Sequence, residues 1–503
     1  MNIEVEKLVL VRLGIDPQQE MVVYIHEDCY ICKTEGIESH RQVRVKLNDQ
    51  SIIASLNVVR SSILKSNEVG LSESAWIRLG AKENDSVQLS HISPITSIKH
   101  VRAKIYGHPI DSQGYQEIVR DIVSGKYSNI HLASFITACA GNNMSQAEVV
   151  SLTKAMINTG QVLHWDYPMV MDKHSVGGIP GNRTTPIVVP IVAAAGCIIP
   201  KTSSRAITSP AGTADTVETM TPVDLNVTQI RKVIEKEGGC MVWGGSMSLS
   251  PADDIIIRVE RALDLDPVGQ MIASVLSKKS AVGATHIVID VPVGSTAKVR
   301  TDDMFYKLKE FLITVGMALG LNIKVLNTDG SQPIGVGVGP ALEAKDIISV
   351  LNNTATAPVD LKNKAILIAG TLLEFQQNIH PGEGEKLART LLESGAALKK
   401  FYAICEAQGG FRAPPTAPFT HEVLASHSGT VKQIDNRNLS MVAKLAGAPH
   451  DAAAGIEFYA KLGDKVEKNQ LLFRIHAQHK GALAYSLEFA RSQPDIIQIN
   501  REQ

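Results

Sequence analysis

The stretch Met171–Thr185, MDKHSVGGIPGNRTT, sets Lys173, His174 and Ser175 ahead of three glycines and closes on Thr184 and Thr185. An apolar run, Tyr167–Met171, precedes it and an apolar, Ala-rich segment, Pro186–Gly196, follows. That order reads as strand, glycine-rich loop, helix. It points backbone N–H groups and a helix N-terminus at an anion, with a lysine and hydroxyls alongside. Phosphate is the anion this suits. A second loop, Lys201–Thr213, brings Ser203, Ser204, Arg205, Thr208, Ser209 and Thr213. A single loop hydroxyl mostly satisfies its own backbone. Two such loops after two strands of one sheet offer two cations and many donors, which fits a dianion held as a reactant.

The elements that must position these loops follow from periodicity. Residues 1–90 form a β-rich module, with strand-like runs at Leu8–Leu13, Met21–His26, Gln42–Leu47 and Ile52–Val58. Ser72 caps a short helix that Gly80 ends, and a last strand follows at Asp85–Leu89, so a compact barrel is expected. Residues 95–165 turn helical and belong with 249–282, where Pro267 and Gly269 break two helices. Residues 166–248 and 283–410 alternate strands and helices, which predicts an α/β subdomain with a parallel sheet and its loops at the strand C-terminal ends. Asn226–Gln229 is a capping box within it. The stretch Arg412–Pro418, RAPPTAP, is a stiff linker to a C-terminal α+β module, 419–503, read as a flattened sandwich with a structural role.

The bulk numbers exclude several classes. The 503 residues are 44% hydrophobic and 20% charged, an ordinary globular balance. Fifty basic residues against 51 acidic ones leave a formal net charge of −1, with no basic excess for nucleic acid or an anionic membrane. The longest apolar run, Ile187–Pro200, is too short to span a bilayer and is broken by Pro190. The N-terminus, MNIEVEKLVL, does not read as a signal peptide, so a cytoplasmic location is expected. Cys29 and Cys32 form a lone CxxC with no second pair to complete a zinc site. No dedicated metal-ligand cluster is seen, and no cofactor is expected.

Several motifs in order carry a resemblance. SSRAITSPAGTADTVE, 203–218, is similar to the signature of the thymidine and pyrimidine-nucleoside phosphorylases. KHSVGG, 173–178, resembles that family's phosphate loop; ASVLSKK, 273–279, resembles its base-binding segment; and Val293-Gly-Ser295 resembles another of its loops. The likeness covers about residues 98–490, and the extra N-terminal module resembles the long (type 2) branch, which also holds the AMP phosphorylases. The resemblance implies that Lys173, Ser175, Thr184, Ser203 and Thr213 hold inorganic phosphate, a co-substrate, and that Ser274 and Lys278 meet the base. From the AMP branch it implies a nucleotide site of Gly178, Ser204, Arg205, Ala206, Ile207, Thr208, Ser209, Thr213, Ser274 and Lys298, with Asp266 as proton donor. The family's base-contacting arginine falls at Arg258 or Arg261. The short enzymes have Gly-Asp after the glycines and a histidine in the second loop. Here those stretches read Pro180-Gly-Asn182 and Thr208-Ser-Pro210.

The expected reaction is phosphorolysis of an N-glycosidic bond. The sugar becomes oxocarbenium-like, so a phosphate dianion stabilises it as well as attacking it. The leaving base needs a proton or a positive contact. Lys278 supplies the contact; Asp266, with a raised pKa, or His174 supplies the proton. Thymidine is the leading substrate. A nucleoside 5′-monophosphate such as AMP, giving ribose 1,5-bisphosphate, is the alternative, and a non-catalytic phosphate or nucleotide sensor is a reading of another class. The resemblance further implies a helical subdomain facing the α/β subdomain across a closing cleft, and a homodimer or larger homo-oligomer.

Overall fold

The computed structural model describes residues 7–17, 20–29, 42–92, 94–141, 143–206, 209–247, 249–265 and 267–500. Contacts divide the chain into two compact units. One is Met1–Thr159 with Pro251–Met271; the other is Gly160–Ser250 with Ile272–Gln503.

The first unit begins with a closed six-stranded barrel. Its strands are β1 (Leu8–Arg12), β2 (Val22–His26), β3 (Gln42–Leu47), β4 (Gln50–Val59), β5 (Glu68–Leu71) and β6 (Ser86–His91), in the order β1-β5-β2-β4-β3-β6. Strict alternation makes β3 one-faced: Val43, Val45 and Leu47 are buried while Arg44 and Lys46 are exposed. The short helix Glu73–Leu79 starts where expected, with Ser72 Oγ accepting from Ala75 N at 3.3 Å, and ends at Gly80 with φ 63°. Cys29 lies in the barrel core; Cys32 falls outside the described residues. Helices Ile98–Ile105, Ser112–Val123, Asn129–Cys139, Gln146–Asn158 and Pro251–Leu263 complete the unit. Ser112–Val123 buries Tyr115, Ile118, Val119 and Ile122, one stripe at helical spacing. Ser145 and Glu148 form a capping box, and Glu148 also holds buried Lys104 at 2.6 Å.

The second unit is built on parallel strands. Strands β7 (Met171–Ser175), β10 (His286–Val293) and β11 (Asn322–Asp329) pair in the order β11-β10-β7. Strands β8 (Ile199–Ser203) and β9 (Gly239–Trp243) pair parallel, and a Val170–Ile198 bridge joins the two sets. All five strands therefore run the same way, so their loops emerge at one edge. Helix Thr185–Ala194 is buried over Thr185–Ala193 and lies in the unit's main core with helices Val359–Leu373 and Ala396–Gln408. A helix apolar on all sides belongs inside a core. Pro190 does not break it; the ring removes one N–H from the helix, and packing on every side holds the element together. The sequence expectation of a second loop from Lys201 also needs correction. Residues Lys201–Ser203 are strand β8, and the loop begins at Ser204.

The end of the chain carries two further sheets. One orders β12 (Gly337–Val338), β15 (Gly455–Phe458), β17 (Leu471–Ala477) and β13 (Phe419–Leu424) as β12-β15-β17-β13. The other orders β14 (Gly429–Ile434), β16 (Lys465–Val466) and β18 (Ile497–Asn500) as β16-β14-β18. Helices Asn436–Leu445 and Lys480–Ser492 pack with them. The Arg412–Pro418 stretch has no regular structure, yet it is pinned. Arg412 N donates to the Met220 carbonyl at 2.8 Å and its Nε to the Glu218 carbonyl at 3.0 Å. Among the described residues, no helix is long and apolar enough to cross a membrane.

Candidate active site

The strand–loop–helix order holds, but the strand is Met171–Ser175 rather than Tyr167–Met171, so Lys173, His174 and Ser175 stand on β7; the loop is 176–184 and the helix starts at Thr185. The strand is held by a carboxylate on either side of Lys173. Asp172 is fully buried. One of its oxygens lies 3.3 Å from Lys201 Nζ and also accepts from Lys173 N at 2.7 Å, while the other accepts from Lys279 Nζ at 2.7 Å. Asp290, fully buried on the neighbouring strand β10, forms the second anchor. Its Oδ2 accepts from Ser175 Oγ at 2.7 Å and from Asn182 Nδ2 at 3.3 Å, and pairs with Lys364 Nζ at 3.1 Å. Its Oδ1 accepts from Thr328 Oγ1 at 2.5 Å. Burial pushes the Asp290 carboxyl up, but Lys364, Lys173 and these hydroxyls outweigh it and hold the group below its ordinary range.

Lys173 is 2% exposed and donates to Thr184 Oγ1 at 2.6 Å. Burial lowers it to about 7; Asp290 and Asp172 oppose the shift, and Lys364 and Arg183 reinforce it. Lys201 is likewise lowered, first by burial and then by Lys279 and Lys173, against the pull of Asp172. His174 sits well below its ordinary value through burial and through Lys279, Lys201, Lys173 and Lys278. Its imidazole is therefore neutral near physiological pH and has no spare proton to give as an imidazolium, which goes against the proton-donor role expected of it.

Arg183 ties the glycine loop to the second loop. It donates to Glu343 Oε2 at 2.5 Å, to Thr213 Oγ1 at 3.1 Å and to the Ala211 carbonyl at 2.8 Å. Glu343 is 1% exposed and also accepts from Thr216 Oγ1 at 3.0 Å. Thr213 opens helix Thr213–Glu218. Asp215 on that helix receives Ala206 N at 2.7 Å and Gly212 N at 2.8 Å, folding the second loop onto itself. Ser209 turns to the Ala211 carbonyl at 2.8 Å, a local backbone bond.

Arg205 takes its partners within and beside the second loop. It pairs with Glu218 at 2.9 Å and Asp215 at 3.3 Å, which raises its pKa further, and it stacks on Trp243 at 4.9 Å. A cavity of about 640 Å³ lies there, lined by Arg205, Glu218, Arg412 and His450 among others.

Lys173 and Thr184 are hydrogen-bonded to each other, Ser175 is held by Asp290 and Thr213 by Arg183, and both Asp290 and Arg183 act electrostatically on Lys173. Ser203 ends β8 and Ser204 follows it on the surface. Ser274 and Lys278 lie on helix Val268–Ala281, along which the chain passes into the second unit; Lys278 is close enough to weigh on His174. Gly178 and Lys298 meet: a Cβ on Gly178, φ 110°, would lie 2.7 Å from Lys298 N. The loop that carries Lys298 is braced from the chain's C-terminal part, where Asn436 Nδ2 donates to Thr296 Oγ1 at 3.0 Å and to the Gly330 carbonyl at 3.2 Å. Asp266, Ile207 and Thr208 lie outside the described residues. Arg258 and Arg261 are on helix Pro251–Leu263 of the first unit. Sequence reasoning missed Asp172, Lys201, Lys279, Arg183, Glu343, Asp290 and Lys364. A charged residue inside an apolar strand or helix, as in HIVIDVPV and KAILIAG, was the available signal. Among the described residues, no group of three or more His, Cys, Asp or Glu is arranged to hold a metal ion.

Residues 98–160 match the glycosyl transferase family helical bundle domain, 167–398 the a/b domain of that family, and 430–495 the pyrimidine nucleoside phosphorylase C-terminal domain. A relative from Polaromonas sp., named "Putative thymidine phosphorylase", is 53% identical over 98% of this chain and 96% of its own length. Relatives of the same name from Hahella chejuensis and Legionella pneumophila are 51% and 52% identical, over 99% and 97% of this chain and 99% and 94% of their own. Anthranilate phosphoribosyltransferase from Thermus thermophilus shares the fold at a TM-score of 0.50 and 18% identity, over 61% of this chain and 99% of that one. At that identity the likeness is one of architecture alone. The chain belongs to the thymidine phosphorylase family.

Proposed function

We propose that the chain is a nucleoside phosphorylase that splits the N-glycosidic bond of thymidine with inorganic phosphate, giving thymine and 2-deoxy-alpha-D-ribose 1-phosphate. The observation that carries this reading is charge. Lys173, Lys201, Lys279, Lys364 and Arg183 are buried or largely so, against the buried carboxylates Asp172, Asp290 and Glu343. Fully ionised, the cluster has two positive charges more than negative ones. Buried cations without counter-charge are costly, and burial correspondingly lowers Lys173 and Lys201. A phosphate dianion is the ligand that completes this balance.

In this reading Lys173, Ser175, Thr184, Ser203 and Thr213 hold the phosphate against the anomeric carbon. The phosphate attacks as the bond to the base nitrogen breaks, and it stabilises the oxocarbenium-like sugar between them. Lys278, with Ser274, meets the base and stabilises the negative charge that develops on it. Asp266 is the proton donor by family resemblance, and His174, neutral beside four lysines, shapes the cation cluster. Phosphate is a co-substrate, and the reaction needs no metal or organic cofactor. The working boundaries are 1–90 for the barrel module, 95–165 with 249–282 for the helical subdomain, 166–248 with 283–410 for the phosphate subdomain, and 419–503 for a C-terminal α+β sandwich. The enzyme works in the cytoplasm as a homodimer or larger homo-oligomer.

A second reading, a nucleoside 5′-monophosphate substrate, is favoured by the Gly178–Lys298 contact. It sets an exposed lysine against the glycine loop, apart from the buried cations. Phosphorolysis assays with thymidine, uridine, AMP and CMP separate the two. Thymidine turnover that vanishes in Lys173→Ala supports the first reading; turnover of AMP alone overturns it.

A further inference from the structure

Lys364 lies far from either loop in sequence, in helix Val359–Leu373, yet its amine is at the phosphate loop's anchor. It is 8% exposed, and its neighbours along the helix, Leu361, Ala365 and Ile368, are fully buried. A lysine in such a place needs a reason, because an uncompensated buried ammonium is costly. Its counter-charge is Asp290, at 3.1 Å from Nζ. That contact is an ion pair without hydrogen-bond alignment, and Lys364 Nζ has no hydrogen-bond partner among the described residues. The same Asp290 oxygen receives the Ser175 hydroxyl and the Asn182 amide, and Asn182 Nδ2 also donates to Ser175 Oγ at 2.9 Å. Asn182 Oδ1 is a second buried polar atom without a partner. Three side chains from two separate stretches of the chain therefore converge on one carboxylate oxygen: Ser175 at the end of β7 with Asn182 in the glycine loop that follows it, and Lys364 in a distant helix. Asp329 and Asp360 add to the negative field on Lys364, and Lys173 adds to the positive field on Asp290.

We propose that Lys364 is a positioning residue of the phosphate pocket: its ammonium neutralises the Asp290 carboxylate that orients Ser175 and Asn182, and so sets the phosphate affinity of a loop to which it does not belong. This rests on the reading of the loop as the phosphate site. With Lys364 gone, Asp290 is left as a buried carboxylate with less positive charge around it. It then takes up a proton, and Ser175 and Asn182 lose the anion to which they donate, or it stays charged and repels the incoming dianion. Asp290 takes its hydrogen bonds from Ser175, Asn182 and Thr328, none of which is assigned to the nucleoside.

The test is Lys364→Met, with steady-state KM measured separately for phosphate and nucleoside and phosphate binding measured by calorimetry. The expected result is a phosphate KM and Kd raised roughly 10- to 100-fold, the scale on which small misplacements act, with nucleoside KM unchanged. The double variant Lys364→Met with Asp290→Asn removes both charges. It should weaken phosphate binding by less than the product of the single effects. A folded Lys364→Met protein with the wild-type phosphate Kd overturns the proposal, as does strict additivity in the double variant. If Lys364→Met does not fold, Lys364→Arg decides: the retained cation should keep phosphate affinity near wild type, and a loss equal to that of Lys364→Gln overturns the charge role. Calorimetry keeps the two readings apart. A wild type that binds phosphate but turns over no nucleoside ends the activity reading and leaves the Lys364 comparison intact.

Discussion

Lys173 was legible at once, as a lysine ahead of glycines. Its titration was not, because that depends on burial and on Lys364, Arg183, Asp290 and Asp172, most of them distant in sequence. Held at about 7 by burial, Lys173 is largely neutral at pH 8. A phosphate dianion beside it favours the ammonium, so binding above neutrality must take up a proton. The sign follows: phosphate affinity falls as pH rises through the lowered pKa, approaching about tenfold per pH unit on the alkaline side. Phosphate titrations in buffers of different ionisation enthalpy, corrected for the protons that free phosphate itself loses on binding as the dianion, should report proton uptake by the protein at pH 8 and much less at pH 6. Equal corrected counts at both values would mean that Lys173 is already charged before phosphate binds. A Lys173→Met protein should bind phosphate weakly with no such uptake. Ser175, also read from sequence as a phosphate ligand, donates its hydroxyl proton to Asp290, a pairing that spacing along the chain could not reveal.

Local order was readable wherever it obeys local rules. The strand before the glycine loop lies four residues later than its apolar run suggested, but the helix from Thr185, the capping box at Asn226 and the Ser72–Gly80 helix follow from residue types within a few positions. What joins the loops does not. Ser175 meets Asp290, 115 residues away, and Arg183 meets Glu343, 160 residues away. No periodicity encodes such pairs; parallel strands side by side create them. The glycines are where local and distant demands coincide. Gly178 needs φ 110°, and any side chain there would strike the backbone of Lys298 at 2.7 Å. Gly178→Ala should therefore lose stability through strain, on the order of 1–3 kcal/mol, and should displace the Gly294–Lys298 loop. Thermal unfolding checks the first effect. If the loop takes part in nucleoside or nucleotide binding, KM for that substrate rises more than KM for phosphate. Equal changes in both would mean the glycine matters to the fold alone.

Each unit has its own interior. The barrel core draws only on residues from Leu8 to Leu89, and a closed barrel leaves no unpaired edge. Among the described residues, the core around helix Thr185–Ala194 is buried from Met171 to Cys405, with Met169 and Phe411 packed against it. Lys173, Ser175, Thr184, Ser203 and Thr213 all belong to the second unit, as do Asp290 and Lys364. Ligand stabilisation acts on the part that must stay folded to bind. Inorganic phosphate at a hundred times its Kd should stabilise that part by about 2.7 kcal/mol, which for a unit of this size is a rise of a few degrees in Tm. The barrel gains nothing directly. Scanning calorimetry with and without phosphate should accordingly move one transition and leave a second in place. Hydrogen exchange should locate the protected amides around β7, β10 and the helix from Thr185, with the barrel strands unchanged. Equal protection of barrel and sheet would mean that the chain melts as one cooperative body. Protection of the barrel alone would put the phosphate site somewhere other than the glycine loop.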